Sequence, residues 1–143
     1  MRKIYGFVVF AVLFAPGLFA QEHYTEGPVW RVQLIRIKPT QIDAYLTSLQ
    51  QGTKPFLEEE KRQGIIMDYK IFFKETKSSP QDWDMALAVQ YKNHAALDGE
   101  VAKAEGVRDK VLGGKQPAQQ LSEKRAEIRE IISSELMREI TLK

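Results

Sequence analysis

Histidine is the side chain best suited to acid–base chemistry near neutral pH, and the sequence holds two of them, His23 and His94. His94 follows Asn93 at the predicted start of a helix, just after a predicted strand that ends at Tyr91. In that position it could act as a general base or a hydrogen-bond donor, and the helix dipole would favour its neutral form. His94 is therefore the candidate catalytic residue, with an exposed residue of the first helical turn as the alternative.

Three large aromatic residues lie at predicted strand positions: Trp30, Tyr69 and Trp83. Flat rings of this kind can line a pocket for a small organic ligand. Together with His94 they form the predicted set of ligand-pocket residues. The alternative is that the rings anchor the core or an interface between subunits, where large aromatic residues are common.

Four charged residues fall within predicted strands and could point into an interior: Arg31, Asp68, Lys70 and Arg138. We expect them to form structural ion pairs, such as Asp68 with Arg138. The acidic run at residues 58–60 is followed by two basic residues, a pattern typical of a solvated helix face. This run lacks the partners that a metal site needs, so we expect no metal site.

Several motifs of known chemistry are absent from the sequence. It has no Cys, which excludes a thiol nucleophile, a disulfide scaffold and a Cys-ligated metal. It also lacks the spacings of a dinucleotide fingerprint, a P-loop, a zinc-protease helix and a nucleophile elbow. We therefore predict no cofactor, and whether the protein is an enzyme stays open.

The first twenty residues have the three parts of a secretory signal peptide. The two residues after Met1 are basic, residues 4–14 are almost wholly apolar, and Ala20 supplies the small residue expected at a cleavage site. The alternative is a retained anchor, but a membrane-spanning helix needs about 20 apolar residues. We predict a cleaved signal peptide over residues 1–20, a secreted or periplasmic protein, and no membrane contact after cleavage.

Cleavage would change the charge of the chain. The full sequence has 21 basic and 19 acidic residues, a formal net charge of +2. Residues 1–20 contain two of the basic residues and no acidic residue, so the remaining chain is formally neutral. Because no run of Lys or Arg with interleaved aromatic residues remains, we predict that the protein does not bind nucleic acid.

The remaining chain predicts a polar leader over residues 21–28 and one domain over residues 29–143. Apolar runs and alternations indicate three strands, at residues 29–37, 65–73 and 83–91. Residues 136–142 fit either a fourth strand or the continuation of a helix. We favour the strand, because the sheet would otherwise have three members.

Apolar residues at helical spacing indicate helices at residues 40–64, 93–113 and 116–133. Pro55 is expected to divide the first of these near Lys54, because proline lacks the backbone N–H that a helix interior uses. The order strand, helix, strand, strand, helix, strand is the ferredoxin-like arrangement. We therefore predict an α+β fold, with a four-stranded antiparallel sheet covered by helices on one face.

The predicted sheet is apolar on both faces. In the second strand Met67 and Ile71 point to one face, and Ile66 and Phe72 to the other. A face left without helices would expose an apolar patch, and a second copy of the same sheet is the simplest cover. We predict a homodimer, with burial by sheet twist inside one subunit as the alternative.

Two stretches resemble a known superfamily. One is the strand at residues 29–39 that leads into the helix at 40–64, and the other is the strand and polar turn at residues 87–97, LAVQYKNHAAL. Over residues 29–142 the chain resembles the dimeric α+β barrel proteins, which include antibiotic-biosynthesis-monooxygenase-like and NIPSNAP-like members. The resemblance implies two ferredoxin-like subunits with joined sheets, but not a reaction, since this fold hosts unrelated chemistries.

Three functions remain open from the sequence. The first is binding of a small organic molecule between sheet and helices, and the second is a cofactor-independent, monooxygenase-like enzyme. An open cavity lined by His94, Tyr69 and Trp83 would favour these two. The third is a structural or interaction protein, which an interior filled by residues such as Phe72 and Leu87 would favour.

Overall fold

The computed structural model describes residues 23–143, so the predicted signal peptide lies outside the described residues. The described elements are β1 (Tyr24–Ile37), α1 (Ile42–Ser48), α2 (Lys54–Arg62), β2 (Asp68–Phe73), β3 (Met85–Tyr91), α3 (Glu100–Leu112), α4 (Lys115–Ile128) and β4 (Arg129–Leu142). A π-helical turn, Leu49–Thr53, joins α1 to α2, and a 3-10 turn, His94–Leu97, precedes α3. Within residues 23–143, no helix is long and apolar enough to cross a membrane.

The four strands form one sheet in the order β2-β3-β1-β4, and every neighbouring pair is antiparallel. This is the ferredoxin-like order, so the predicted α+β class and four-stranded antiparallel sheet are confirmed. Arg31 of β1 lies opposite Val89 of β3 and Leu136 of β4. Because side chains alternate along a strand, Arg31 points to the face covered by helices and Trp30 to the opposite, open face.

β1 begins earlier than the sequence predicts. Residues 24–28 were expected to belong to a polar leader, but Tyr24, Thr25 and Glu26 pair with the last residues of β4. Thr25, for example, lies opposite Thr141. The strand forms there because a partner strand satisfies its backbone groups, although its own side chains are polar.

β4 includes residues that the sequence places in a helix. The strand interpretation of residues 136–142 is confirmed, but α4 ends at Ile128 and not at residue 133. Ile131 pairs with Ile35, and Glu130 lies opposite Arg36 and forms an ion pair with it at 2.5 Å. The spacing of three isoleucines at 128, 131 and 132 fits a helix, and pairing with β1 overrides it.

The division of the first helix near Lys54 is confirmed. α1 gives way to the π-helical turn at Leu49, and α2 begins at Lys54 with Pro55 in its first turn, where no N–H is needed. A Cβ atom on Gly52 would overlap the side chain of Leu121 in α4. The π-helical turn therefore lies directly against α4.

Most of the core lies in two groups of buried side chains on the helical face of the sheet. One group contains Ile35, Ile37, Tyr45, Leu49 and Met85, and the other contains Leu57, Ile66, Val89 and Tyr91. Leu87 in the middle of β3 packs against both groups. The space beside Leu87 is not filled, and it forms the cavity described next.

Candidate functional site

A cavity of about 330 Å³ lies between the sheet and the helices. Its floor consists of alternate residues of β1 and β3, because residues two apart on a strand share a face. Its walls come from the π-helical turn, α2, α3 and α4. The apolar part of the lining includes Phe56, Leu57, Leu87, Ala104 and Leu112.

Three polar side chains at one end of the cavity form a connected cluster. The guanidinium of Arg31 donates two hydrogen bonds to the carboxylate of Glu100, at 2.5 and 2.7 Å. The hydroxyl of Tyr91 donates to the same carboxylate at 2.5 Å, and Arg31 donates to that hydroxyl at 3.3 Å. Burial favours a higher pKa for Glu100, but the hydrogen bonds from Arg31 and Tyr91 outweigh it and lower the pKa. Glu100 is therefore a carboxylate near neutral pH.

Glu60 of α2 faces the same cavity without a partner. Its residue is 4% exposed, and its carboxyl group forms no hydrogen bond or ion pair with the described residues. Burial, and next the nearby charge of Glu100, raise its pKa to about 7, although Arg31 acts in the opposite direction. Glu60 is therefore a carboxyl group that changes protonation near neutral pH, which is the property of a general acid or base.

Arg125 of α4 brings a second cation to the cavity. Its Nη1 donates to the hydroxyl of Thr53 at 2.6 Å, and no described carboxylate forms an ion pair with it. Burial, and next the charge of Arg129, lower its pKa. The cavity thus combines an apolar wall with two polar groups, Glu60 and Arg125, that have unused hydrogen-bonding capacity.

The predicted catalytic residue is not at this cavity. His94 is exposed in the 3-10 turn, where Asn93 accepts a hydrogen bond from the backbone N–H of Ala96 at 3.1 Å. Asn93 thus caps this short turn, and α3 begins six residues after His94, later than the predicted start at residue 93. Because His94 does not line the cavity, it matches the alternative of an exposed residue.

The three predicted aromatic residues are spread over different surfaces. Tyr69 is on the helical face at the edge of the sheet, where its hydroxyl donates to Glu58 at 2.6 Å. Trp83 precedes β3 and lies under the ammonium of Lys74, at 4.7 Å from the ring centre. None of these residues lines the cavity.

Trp30 lies on the open face of the sheet. Its indole N–H donates to Glu139 at 2.9 Å. It lines a shallow groove of about 370 Å³ together with Val32, Phe72 and Met137. The structure therefore does not bring His94, Tyr69, Trp83 and Trp30 together.

The expected ion pair of Asp68 with Arg138 is wrong. Asp68 pairs with Lys61 at 2.8 Å, and Arg138 pairs with Glu26. The reason is topological, since Asp68 is in β2 and Arg138 is in β4, which are the two opposite edges of the sheet. Arg31, in contrast, points into the interior as the sequence allowed.

Glu60 is the functional candidate that sequence reasoning missed. The sequence predicts a solvated helix face for the run 58–60, and only Glu58 is exposed as expected. Glu59 is partly covered and accepts hydrogen bonds from Arg62 and Lys110, whereas Glu60 is buried. The available signal was spacing, because Glu60 lies three residues after Leu57 and so shares its buried helix face.

The fold and the cavity define a class, a small ferredoxin-like α+β protein with a pocket between sheet and helices. HapK from Hahella chejuensis matches over 78% of this chain and 91% of its own, with 11% identity and a TM-score of 0.52. A dimeric ferredoxin-like protein from an uncultured marine organism matches over 82% and 90%, with 13% identity and a TM-score of 0.52.

A nipsnap family protein from Agrobacterium tumefaciens also matches, over 85% of this chain and 92% of its own, at 14% identity and a TM-score of 0.49. No protein-family model and no curated protein sequence matches the chain. At these identities the two likenesses with a TM-score of 0.52 show the fold alone, and that fold is the one the sequence predicts.

Proposed function

We propose that this protein binds a small organic molecule in the cavity between the sheet and the helices. The cavity itself carries the proposal, because its volume of about 330 Å³ lies within the range of ligand pockets, roughly 300–1,000 Å³. Its lining is mostly apolar with a few convergent polar groups, as in such pockets. Those polar groups include Glu60, which has no hydrogen-bond partner among the described residues, and Arg125, which donates to Thr53 and keeps further N–H donors free there.

The arrangement of the apolar residues argues against a purely structural interior. Phe72, one of the residues that could have filled the space, lies on the open face of the sheet and is 51% exposed. Leu87 forms part of the cavity wall and leaves the space beside it open.

Filling the cavity is expected to abolish binding. Ala104 lines the cavity from α3, so Ala104→Trp would place a large ring where the ligand lies. A library of aromatic and aliphatic organic acids and amides is screened for compounds that raise the melting temperature of the wild type, since a ligand that binds the folded state stabilises it. We expect Ala104→Trp to lower the binding affinity for any such compound at least about tenfold.

The matched control for this experiment is Ala102→Trp, which adds the same ring on the exposed side of the same helix. It should keep the ligand-induced shift in melting temperature. If Ala104→Trp also keeps that shift, the compound binds somewhere else and the cavity is not the ligand site.

The protein is also proposed to be a homodimer in which a second copy covers the open face of the sheet. The support is the apolar character of that face, where Phe72 is 51% and Met137 is 44% exposed. The similar ferredoxin-like protein from an uncultured marine organism is described as dimeric. Exposed apolar patches of this kind commonly mark protein interfaces.

A charge on the open face is expected to separate the subunits. We expect residues 21–143 to sediment as a dimer at micromolar concentration, and Phe72→Asp to sediment as a monomer, because burying an unpaired carboxylate in an interface is costly. Val101→Asp is the control, since Val101 is 75% exposed on α3, away from the sheet. A wild-type chain that sediments as a monomer would contradict the dimer.

A cofactor-independent enzyme is a second candidate, and Glu60 is the observation that favours it. General acid–base catalysis works best when the pKa of the catalytic group is close to the working pH. Glu60 lines the cavity with a pKa of about 7 and no partner in the described chain. The neighbouring carboxylate of Glu100 raises the pKa of Glu60, and the cation of Arg31 lowers it.

Export to the periplasm or the cell exterior is proposed as well. Its support is the sequence of residues 1–20, with a basic start, an apolar run and Ala20 at the expected cleavage site. The absence of Cys means that the exported domain relies on its core, and on the proposed dimer, for stability.

A further inference from the structure

Two arginines differ from the others in the described part of the chain. Five arginines between residues 23 and 143 form an ion pair with a carboxylate: Arg31, Arg36, Arg62, Arg108 and Arg138. Arg125 and Arg129 form none with any described carboxylate. They lie four residues apart where α4 ends and β4 begins, and each is only partly exposed.

In both of these guanidinium groups the Nε atom also lacks a hydrogen-bond partner among the described residues. The Nε atoms of Arg125 and Arg129 are buried and donate to no described residue. Arg125 contacts the hydroxyl of Thr53, and Arg129 lies 5.9 Å from the ring centre of Tyr45, but neither contact supplies a negative charge. A partly buried cation without a counter-charge is costly, so this pair favours an anion that residues 23–143 do not provide.

Arg125 presents this unbalanced charge to the cavity. The other guanidinium in the lining, Arg31, is already neutralised by its two hydrogen bonds to Glu100. Arg125 is therefore the cavity cation that is available to a ligand. Phe56, Leu87 and Leu112 line the same cavity and offer an apolar surface to the rest of that ligand.

We propose that the ligand of this cavity is a small organic acid whose carboxylate is bound by Arg125, while Arg129 adds to the positive potential. This inference rests on the proposed function of the cavity. A guanidinium suits a carboxylate because its planar fork of N–H donors can form two parallel hydrogen bonds to the two oxygens. The apolar wall then accommodates the body of the acid.

The test compares aromatic and aliphatic carboxylates with their own primary amides, which have nearly the same shape but no charge. Affinities are measured by ligand-observed NMR and by the shift in melting temperature. We expect the best-bound carboxylate to bind the wild type at least about tenfold more tightly than its amide. Arg125→Gln should remove that preference, because the affinity for the carboxylate falls far more than the affinity for the amide.

Lys124→Gln is the matched control, since it removes the same charge from an exposed neighbour on α4 and should keep the preference. If Arg125→Gln does not fold, Arg125→Lys serves instead, because it keeps the charge but not the planar fork. Arg125→Lys should lower the affinity for the carboxylate several-fold and the affinity for the amide by less. An unchanged carboxylate affinity in that variant would overturn the inference.

The outcomes separate this inference from the proposed function. A wild type that binds the amides as tightly as the acids, or a preference that survives Arg125→Gln, overturns the inference and leaves the cavity as a binding site. If no compound in either form binds at millimolar concentration, the cavity fails as a binding site and the inference fails with it.

Discussion

Glu60→Gln is expected to raise the free energy of unfolding by about 3–4 kcal/mol at pH 8 and to leave it nearly unchanged at pH 4. Glutamine has almost the shape of a protonated glutamate, so the variant keeps the packing of a residue that is 4% exposed. What it removes is the cost of ionising a buried carboxyl group. With a pKa of about 7 in the fold against an ordinary value of 4.5, that cost is about 1.4 kcal/mol for each unit of difference.

The direction of the pH dependence follows from proton binding. Between pH 4.5 and 7 the folded wild type holds the Glu60 proton more tightly than the unfolded chain does. The contribution of Glu60 to stability therefore falls as pH rises through this interval and is constant beyond it. The charged and titratable groups that share the cavity with Glu60 are Arg31, Tyr91, Glu100 and Arg125.

Urea unfolding of both proteins at pH 4, 6 and 8, at one protein concentration, measures this effect. Glu75→Gln makes the same change on an exposed loop residue and should follow the wild type at every pH. Parallel pH profiles for Glu60→Gln and the wild type would mean that Glu60 ionises normally. That result would also remove the main support for an acid–base role of Glu60.

Arg31→Met is expected to lower the free energy of unfolding by about 2–3 kcal/mol. Methionine replaces the apolar stem of Arg31 with a side chain of similar length but leaves Glu100 without its bidentate partner. Breaking a buried ion pair by removing one partner typically costs about 3–5 kcal/mol. The side chains of Arg31 and Glu100 are 32% and 19% exposed, which places the expected loss below that range. The hydrogen bond from Tyr91 still supports the carboxylate.

Two companion variants show whether the lost partner causes the loss. Arg31→Met combined with Glu100→Gln removes both charges, and it should recover much of the stability because no unpaired carboxylate remains. Arg62→Met breaks an ion pair whose arginine is 63% exposed, and such pairs contribute less than about 1 kcal/mol. Urea unfolding at pH 7 compares all three. A cost for Arg31→Met no larger than that for Arg62→Met would show that the cluster adds no stability.

Most of the helices and strands could be predicted because the local spacing of apolar residues and prolines agrees with the secondary structure in the fold. Pro55 at the start of α2 is an example of a local signal that the structure follows. The prediction was wrong where long-range pairing decided the outcome. Tyr24–Glu26 and residues 129–133 are strand because β1 and β4 pair along nearly their whole lengths.

The candidate site was largely missed for a related reason. His94 and Trp30 are residue types with an obvious chemistry, but one is exposed in a turn and the other is on the open face. Glu60 looked like one of three solvated acids, and its burial depends on which side of α2 the sheet covers. Arg31 was a candidate without a known partner, because Glu100 is 69 residues further along the chain.

The sequence by itself determined the α+β class, the order of the elements and the apolar character of both sheet faces. These properties follow from the spacing of apolar residues and from residues such as Pro55, which act within a few positions of themselves. Only the tertiary structure decided which polar residues meet in the cavity. Arg31, Glu60, Glu100 and Arg125 come from four separate elements, and their protonation and pairing depend on burial that no local pattern encodes.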